Sequence, residues 1–238
     1  MRGGFSPQGS GRRRLLVALV GVLVLGAAAT QAFATITQPV VAEDSTSFLE
    51  EGGVDGGDQG TFMNNDDSAT HNVTANGRGP DKGPLFKTGN TPANTIRAIR
   101  GTEFLTTGNY AFRCTIHPVM EGTLTVDEAR GPALPRPDIS LKVKSKKLAK
   151  VVDSGKLQVK VKAADPTRAE NVTLKAKKGK KGITKAKKLN LAAGGSKTVK
   201  LKLSKGGSEK LAAADSAKVK VEGTVDFGFG DKASKKLK

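Results

Sequence analysis

The chain has 238 residues, with 40 Lys and Arg against 22 Asp and Glu and a formal net charge of +18. That length allows one large domain or two of about 100 residues each, and nine Phe, one Tyr and no Trp leave most of any core to aliphatic side chains. A single cysteine excludes an intrachain disulfide, and two histidines exclude any site that needs three imidazoles.

The charge is unevenly spread. Residues 1–37 hold four Arg and no acid, residues 38–127 hold 12 acids and 6 bases, and residues 128–238 hold 10 acids and 30 bases. An acidic middle joined to a strongly basic end argues for separate jobs or partners. At the N-terminus, Arg12-Arg13-Arg14 precedes an apolar run from Leu15 to Ala29, and Ala32-Phe33-Ala34 offers a small-x-small cleavage site before Thr35. This order is that of a secretory signal over residues 1–34. The run is about 15 residues, shorter than the ~20 needed to span a bilayer. An uncleaved membrane anchor is the alternative. The remaining chain is expected to work outside the cytoplasm, in a secreted, periplasmic or envelope-associated location.

In the middle segment, Thr61-Phe62-Met63 reads as a strand with Met63 in the core, and Asn64-Asn65-Asp66-Asp67 reads as the turn that leads to His71. His71 itself is expected on a distant strand. Gly52-Gly53 and Gly56-Gly57 are expected to interrupt an early strand. In Gly108-Asn109-Tyr110-Ala111-Phe112-Arg113-Cys114, Tyr110, Phe112 and Cys114 alternate and so share the inward face of one strand. Residues 115–120 form a short loop containing Pro118, with His117 and Met120 on it. Gly122 permits the return, and Thr123-Leu124-Thr125-Val126 alternates as the closing strand.

The loop is therefore Cys-x2-His-x2-Met, with a second histidine 43 residues before the cysteine. A thiolate and two imidazoles in a near-trigonal plane, with a weak axial thioether, form a blue-copper site. The thiolate and thioether favour Cu(I), and imidazole suits both oxidation states. Taken singly, Cys114 also matches a buried core thiol or an intermolecular disulfide partner. Cys114 with His117 also matches a nucleophile and its base. His71 and Met120, each alone, match ordinary core residues. The two-residue spacing in a tight loop directs Cys114 and His117 at one point, which suits a metal better than a substrate cleft.

With these motifs in place, residues 38–127 resemble the cupredoxins, the blue-copper family that includes plastocyanin and amicyanin. The resemblance rests on Gly60 through Asp66, on His71-Asn72 and on Gly108 through Cys114. It implies a Greek-key β-sandwich and one type 1 copper held by His71, Cys114, His117 and Met120. It also implies that Asn72 braces the Cys114 loop by hydrogen bonds, and that electrons enter and leave at a partly exposed His117, where redox partners dock among Ile116, Pro118 and Val119. The short His-x2-Met spacing is closer to amicyanin than to plastocyanin. Arg113 stands where plastocyanin has Tyr, which removes that side chain as an electron path. One cysteine and two histidines leave no ligands for a binuclear or trinuclear copper site, so the expectation is a carrier and not an enzyme.

Gly131-Pro132-Ala133-Leu134-Pro135-Arg136-Pro137 falls in a Pro-rich, semi-rigid linker over 128–138. Beyond it, over 139–238, aliphatic residues alternate with lysine: Ile139, Leu141, Val143; Leu157, Val159, Val161; Val172, Leu174, Ala176; Leu189, Leu191; Val199, Leu201, Leu203; Val219, Val221. Repeated period two argues a second antiparallel β-sandwich, with an immunoglobulin- or fibronectin-like topology as the default by analogy. Lys177-Lys178-Gly179-Lys180-Lys181 is expected to be a loop. The lysines are either a solvated outer face that guards strand edges or a surface for an anionic envelope polymer, membrane surface or acidic redox partner. With only Phe227 and Phe229 as aromatics in this part, a specific nucleic-acid role is not expected. The sequence thus points first to an exported all-β electron carrier. Second stands an extracytoplasmic copper-delivery or envelope-binding protein without a carrier role.

Overall fold

The computed structural model describes residues 38–50, 52–127 and 131–238. The secretory-signal reading of residues 1–34 lies outside the described residues. Among those described, no helix is long and apolar enough to cross a membrane. The fold is all-β, as expected, with two separate hydrophobic cores.

The first core lies between two four-stranded sheets. Its strands are β1 (Val40–Ala42), β2 (Phe48–Glu50), β3 (Gly52–Asp55), β4 (Gly60–Asn64), β5 (Thr74–Ala75), β6 (Thr95–Ile99), β7 (Gly108–Arg113) and β8 (Glu121–Asp127). One sheet runs β2-β1-β4-β6 and the other β3-β8-β7-β5. Each contains one parallel pair, β1 with β4 and β3 with β8, so the chain crosses between sheets and does not form simple hairpins. Most of the aromatic side chains among the described residues gather here. Phe48 packs edge-on against Phe62 and Phe112, and Phe86 against Phe112 and Tyr110. Offset and edge-on ring packing of this kind adds stability beyond the area buried.

Two expectations about this half are corrected. Gly52-Gly53 lies inside β3 and does not interrupt it. A Cβ at Gly52 would collide with Val40 Cγ2, so the glycine is what lets β1 and β3 pack closely. Only Gly56-Gly57 is a turn, with Gly57 at a φ of 83°. Met63 is half-buried, because the two-residue period of β4 gives the core face to Phe62.

The second core is aliphatic throughout. Its elements are β9 (Ile139–Val143), α1 (Leu148–Ser154), β10 (Lys156–Ala163), β11 (Ala169–Lys178), β12 (Lys181–Gly182), β13 (Lys187–Leu191), β14 (Ser196–Lys202), α2 (Lys205–Ala212), β15 (Ala217–Thr224) and β16 (Asp231–Leu237). One sheet is β14-β10-β9 and the other β12-β11-β15-β16, with β13 also paired to β11; all pairings are antiparallel. Strand β10 alternates strictly between exposed and buried positions, burying Leu157, Val159, Val161 and Ala163. Each fully buried Val or Leu contributes roughly 1.5–3 kcal/mol relative to exposure. The lysine run at 177–181 is a hairpin and not a free loop: β11 turns at Gly179, φ 63°, directly into β12. Helices α1 and α2 are short additions that the alternation does not indicate.

The Pro-rich segment is held on both sides. Leu134 N–H donates to Glu103 O, Arg136 Nη1 to Phe227 O, and Thr167 Oγ1 to Pro135 O. Arg100 pairs with Glu170 at 2.8 Å, and Phe227 N–H donates to Asp81 Oδ2. Phe227 stacks near Phe104, with the Lys87 and Arg100 cations over its ring. The two sandwiches therefore meet through a polar seam closed by one aromatic plug.

Candidate metal centre

Three segments deliver the expected residues to one end of the first sandwich. Strand β7 buries Phe112 and ends at Arg113, one residue before Cys114, which is fully buried. The loop that follows closes on itself: Cys114 N–H donates to Met120 O, and Met120 N–H to His117 O, each at 3.0 Å. These two bonds fix a six-residue excursion before β8 begins. Met120 is fully buried in the first core, and His117 is half-exposed.

His71 does not sit on a regular strand, contrary to expectation. It forms an isolated two-way bridge with Thr91, His71 N–H to Thr91 O at 3.1 Å and Thr91 N–H to His71 O at 2.8 Å. Asn64, at the end of β4, ties this region together. Its Nδ2 donates to Ala69 O and to Thr91 O, both at 2.9 Å. Buried backbone carbonyls in a loop need such partners, and here they hold the His71 backbone from both sides.

The donor atoms converge. His71 Nδ1 lies 3.0 Å from His117 Nδ1, and Cys114 Sγ lies 4.0 Å from the first and 3.9 Å from the second. These three residues form a group able to hold a metal ion. Among the described residues the group contains no fourth His, Cys or carboxylate. One sulfur and two imidazole nitrogens in a compact triangle fit a copper ion by donor chemistry.

Asp66, which the sequence presents only as a turn residue, is the functional side chain that sequence reasoning misses. Its Oδ2 lies 2.9 Å from His71 Nε2. Its carboxyl is held well below the usual carboxylate range, first by that bond to His71, then by the N–H groups of Ser68 and Ala69. An ionised carboxylate only accepts, so the His71 Nε2 that faces it is the donor, and Nδ1 is the nitrogen turned toward the triangle. The signal available in the sequence is an Asp five residues before the histidine, which has no characteristic spacing.

Asn72 joins the His71 and Cys114 segments. Its Oδ1 accepts from Thr115 N–H at 3.0 Å, and its Nδ2 donates to Thr115 Oγ1 at 2.9 Å and to Asn90 Oδ1 at 3.1 Å. The residue after His71 is thus fastened to the residue after Cys114. Around His117, Ile116 is 40% exposed, Val119 is 75% exposed and Pro118 is also exposed, which forms a small apolar rim. A cleft of about 740 Å³ lies elsewhere, along the seam between Arg97, Arg100, Glu170 and Phe227; none of the three donor residues lines it.

No protein-family model matches the chain, and no curated protein matches it. Among solved structures, a Cu(I) form of an amicyanin mutant is 25% identical over 40% of this chain and 85% of its own, with a TM-score of 0.32. A reduced amicyanin mutant is 24% identical over 40% and 85%, also at 0.32. At that TM-score the likeness by itself decides nothing about fold or function.

Proposed function

We propose that the protein binds one copper ion that His71, Cys114 and His117 would hold, with the Met120 thioether as a further, weaker ligand, and carries single electrons outside the cytoplasm. The observation that carries this reading is the triangle of Cys114 Sγ and two Nδ1 atoms at 3.0–4.0 Å. Such a ligand set favours copper by softness, and a group that holds no fourth His, Cys or carboxylate among the described residues differs from a closed structural zinc site. When bound, copper would supply a one-electron Cu(I)/Cu(II) couple with no bond made or broken to a substrate.

The chain's own residues do the rest. Asp66 fixes the His71 tautomer, the Asn72–Thr115 bridge keeps the His71 and Cys114 segments in register, and the buried Cys114 is shielded from water and oxidants. Donors held this firmly change little between oxidation states, which lowers the reorganisation that electron transfer requires. His117 is the half-exposed donor, so the apolar rim of Ile116, Pro118 and Val119 is where a redox partner approaches. Weak redox encounters bury less than about 1,200 Å², a size consistent with a small rim. On this reading the protein is not an enzyme.

The test is addition of Cu(II) to the purified protein, followed by visible spectroscopy and voltammetry. The expected result is an intense blue thiolate-to-copper band, bleached by ascorbate, restored by oxidant and lost in Cys114→Ser. A colourless complex, or colour that survives Cys114→Ser, overturns the proposal.

A further inference from the structure

The outer face of the sheet β14-β10-β9 is a lattice of lysines without a counter-charge. The register places four rungs across it. Lys202 stands opposite Lys156; Lys200, Gln158 and Lys144 form the next rung; Thr198, Lys160 and Lys142 the third; Ser196, Lys162 and Ser140 the last. All seven lysines are exposed. The three strands contain no Asp or Glu, and among the described residues none of the seven lysines is in an ion pair.

Two ordinary explanations fall short. Lysine guards exposed sheet edges, which accounts for β9 and β14. It does not account for Lys156, Lys160 and Lys162, because β10 is the central strand. A solvated surface normally intersperses the two signs, as the other sheet does: there Glu222 pairs with Lys177 at 2.6 Å and with Lys220 at 3.5 Å. On the lysine face the pairs Lys156–Lys202 and Lys160–Lys142 are directly opposite, and like charges so placed destabilise an antiparallel pair. The sheet carries a destabilising arrangement that a polyanion would relieve.

The shape of the face selects among polyanions. Rungs repeat every ~6.7 Å along the strands, so the four span about 20 Å, while three strands at ~4.8 Å spacing are only about 10 Å wide. This is a ribbon suited to a linear chain. No exposed large hydrophobic side chain lies on it to enter a bilayer, and no aromatic is present to stack nucleobases. Every position on the rungs that is not lysine is Ser, Thr or Gln, each able to donate a hydrogen bond to a phosphate oxygen. We infer that this sheet face is a binding site for a linear phosphate-bearing polymer. The assignment stands independently of copper.

The experiment uses the intact protein, with inorganic polyphosphate as the probe and titrations over a range of salt. Lys156, Lys160, Lys200 and Lys202 are changed together to Gln; in a control of equal charge change, Lys175, Lys187, Lys218 and Lys236 are changed to Gln. The first quartet is expected to weaken binding at least tenfold and to reduce the slope of log K against log salt by about three, at ~0.7 for each phosphate no longer neutralised. The control quartet is expected to keep most of the slope. The lysine-face quartet is also expected to make the free protein more stable to urea at low salt, since it removes the opposed charges. Equal losses in both quartets would show that net charge alone attracts the polymer and overturn the site. Equal or tighter binding, per phosphate, to anionic phospholipid vesicles or to oligothymidylate would overturn the polymer assignment in favour of a membrane or nucleic acid.

Discussion

Asn72→Ala isolates the link between the two segments that carry His71 and Cys114. The side chain is 3% exposed. Its oxygen accepts from Thr115 N–H at 3.0 Å and from Thr74 Oγ1 at 3.2 Å, and its Nδ2 donates to Thr115 Oγ1 at 2.9 Å and Asn90 Oδ1 at 3.1 Å. At about 0.5–1.5 kcal/mol net for each of these four bonds, truncation costs about 2–6 kcal/mol. Thr115 is exposed, so water re-satisfies its N–H and the lower half of that range is expected. Asn72→Asp keeps the acceptor for Thr115 and Thr74 but loses both Nδ2 donations, so its cost should fall between those of wild type and Ala. The assay is built into the chain: Tyr110 is the only tyrosine and there is no tryptophan, so tyrosine emission during urea unfolding reports the first sandwich alone. Copper-loaded samples should show a faster loss of metal and a shifted blue band. A stability loss under about 0.5 kcal/mol with unchanged copper release would refute the bridge as the device that holds the two segments together.

Three further expectations follow from particular side chains. Asp66→Asn removes a negative charge beside His71 while keeping an acceptor in place, so the copper-loaded protein should have a higher reduction potential; voltammetry showing an unchanged or lower potential would contradict the carboxylate's role. Gly122→Ala would place a Cβ 2.6 Å from Phe112 Cζ, and Phe112 is fully buried with its ring against Phe48 and Phe86. Overpacking there should cost about 1–3 kcal/mol, read again from Tyr110 emission, and an unchanged urea midpoint would show that the ring has room. Phe227→Ala removes the plug between the sandwiches, at a cost of about 3 kcal/mol or more, and should split a single calorimetric transition into two; a single transition at the original temperature would show that the polar seam suffices.

The parts of this protein that are legible in the sequence are those governed by near neighbours in the chain. Period-two alternation places β7, β8, β10, β14 and β15, because successive strand side chains face opposite ways whatever surrounds them. The Cys-x2-His-x2-Met loop is legible for the same reason, since its donors lie within one turn. Met63 and the Gly52-Gly53 pair mislead because burial on β4 and the close approach of β1 to β3 depend on what packs across the sandwich. The lysine run at 177–181 misleads because lysine content does not reveal a hairpin, whereas a positive φ at Gly179 does.

Residue types and local spacing determined the all-β class, the two contrasting charge regions and which residues are candidate donors. Only the tertiary structure decided that His71, 43 residues before Cys114, reaches the same point in space, that Asp66 sets its tautomer, and that β10 is a central strand. The same distinction governs the lysines. Their number is a property of composition, but whether they oppose one another or face a carboxylate is a matter of strand register. Register depends on which faces must be buried together, and that is settled only when the whole sheet has formed.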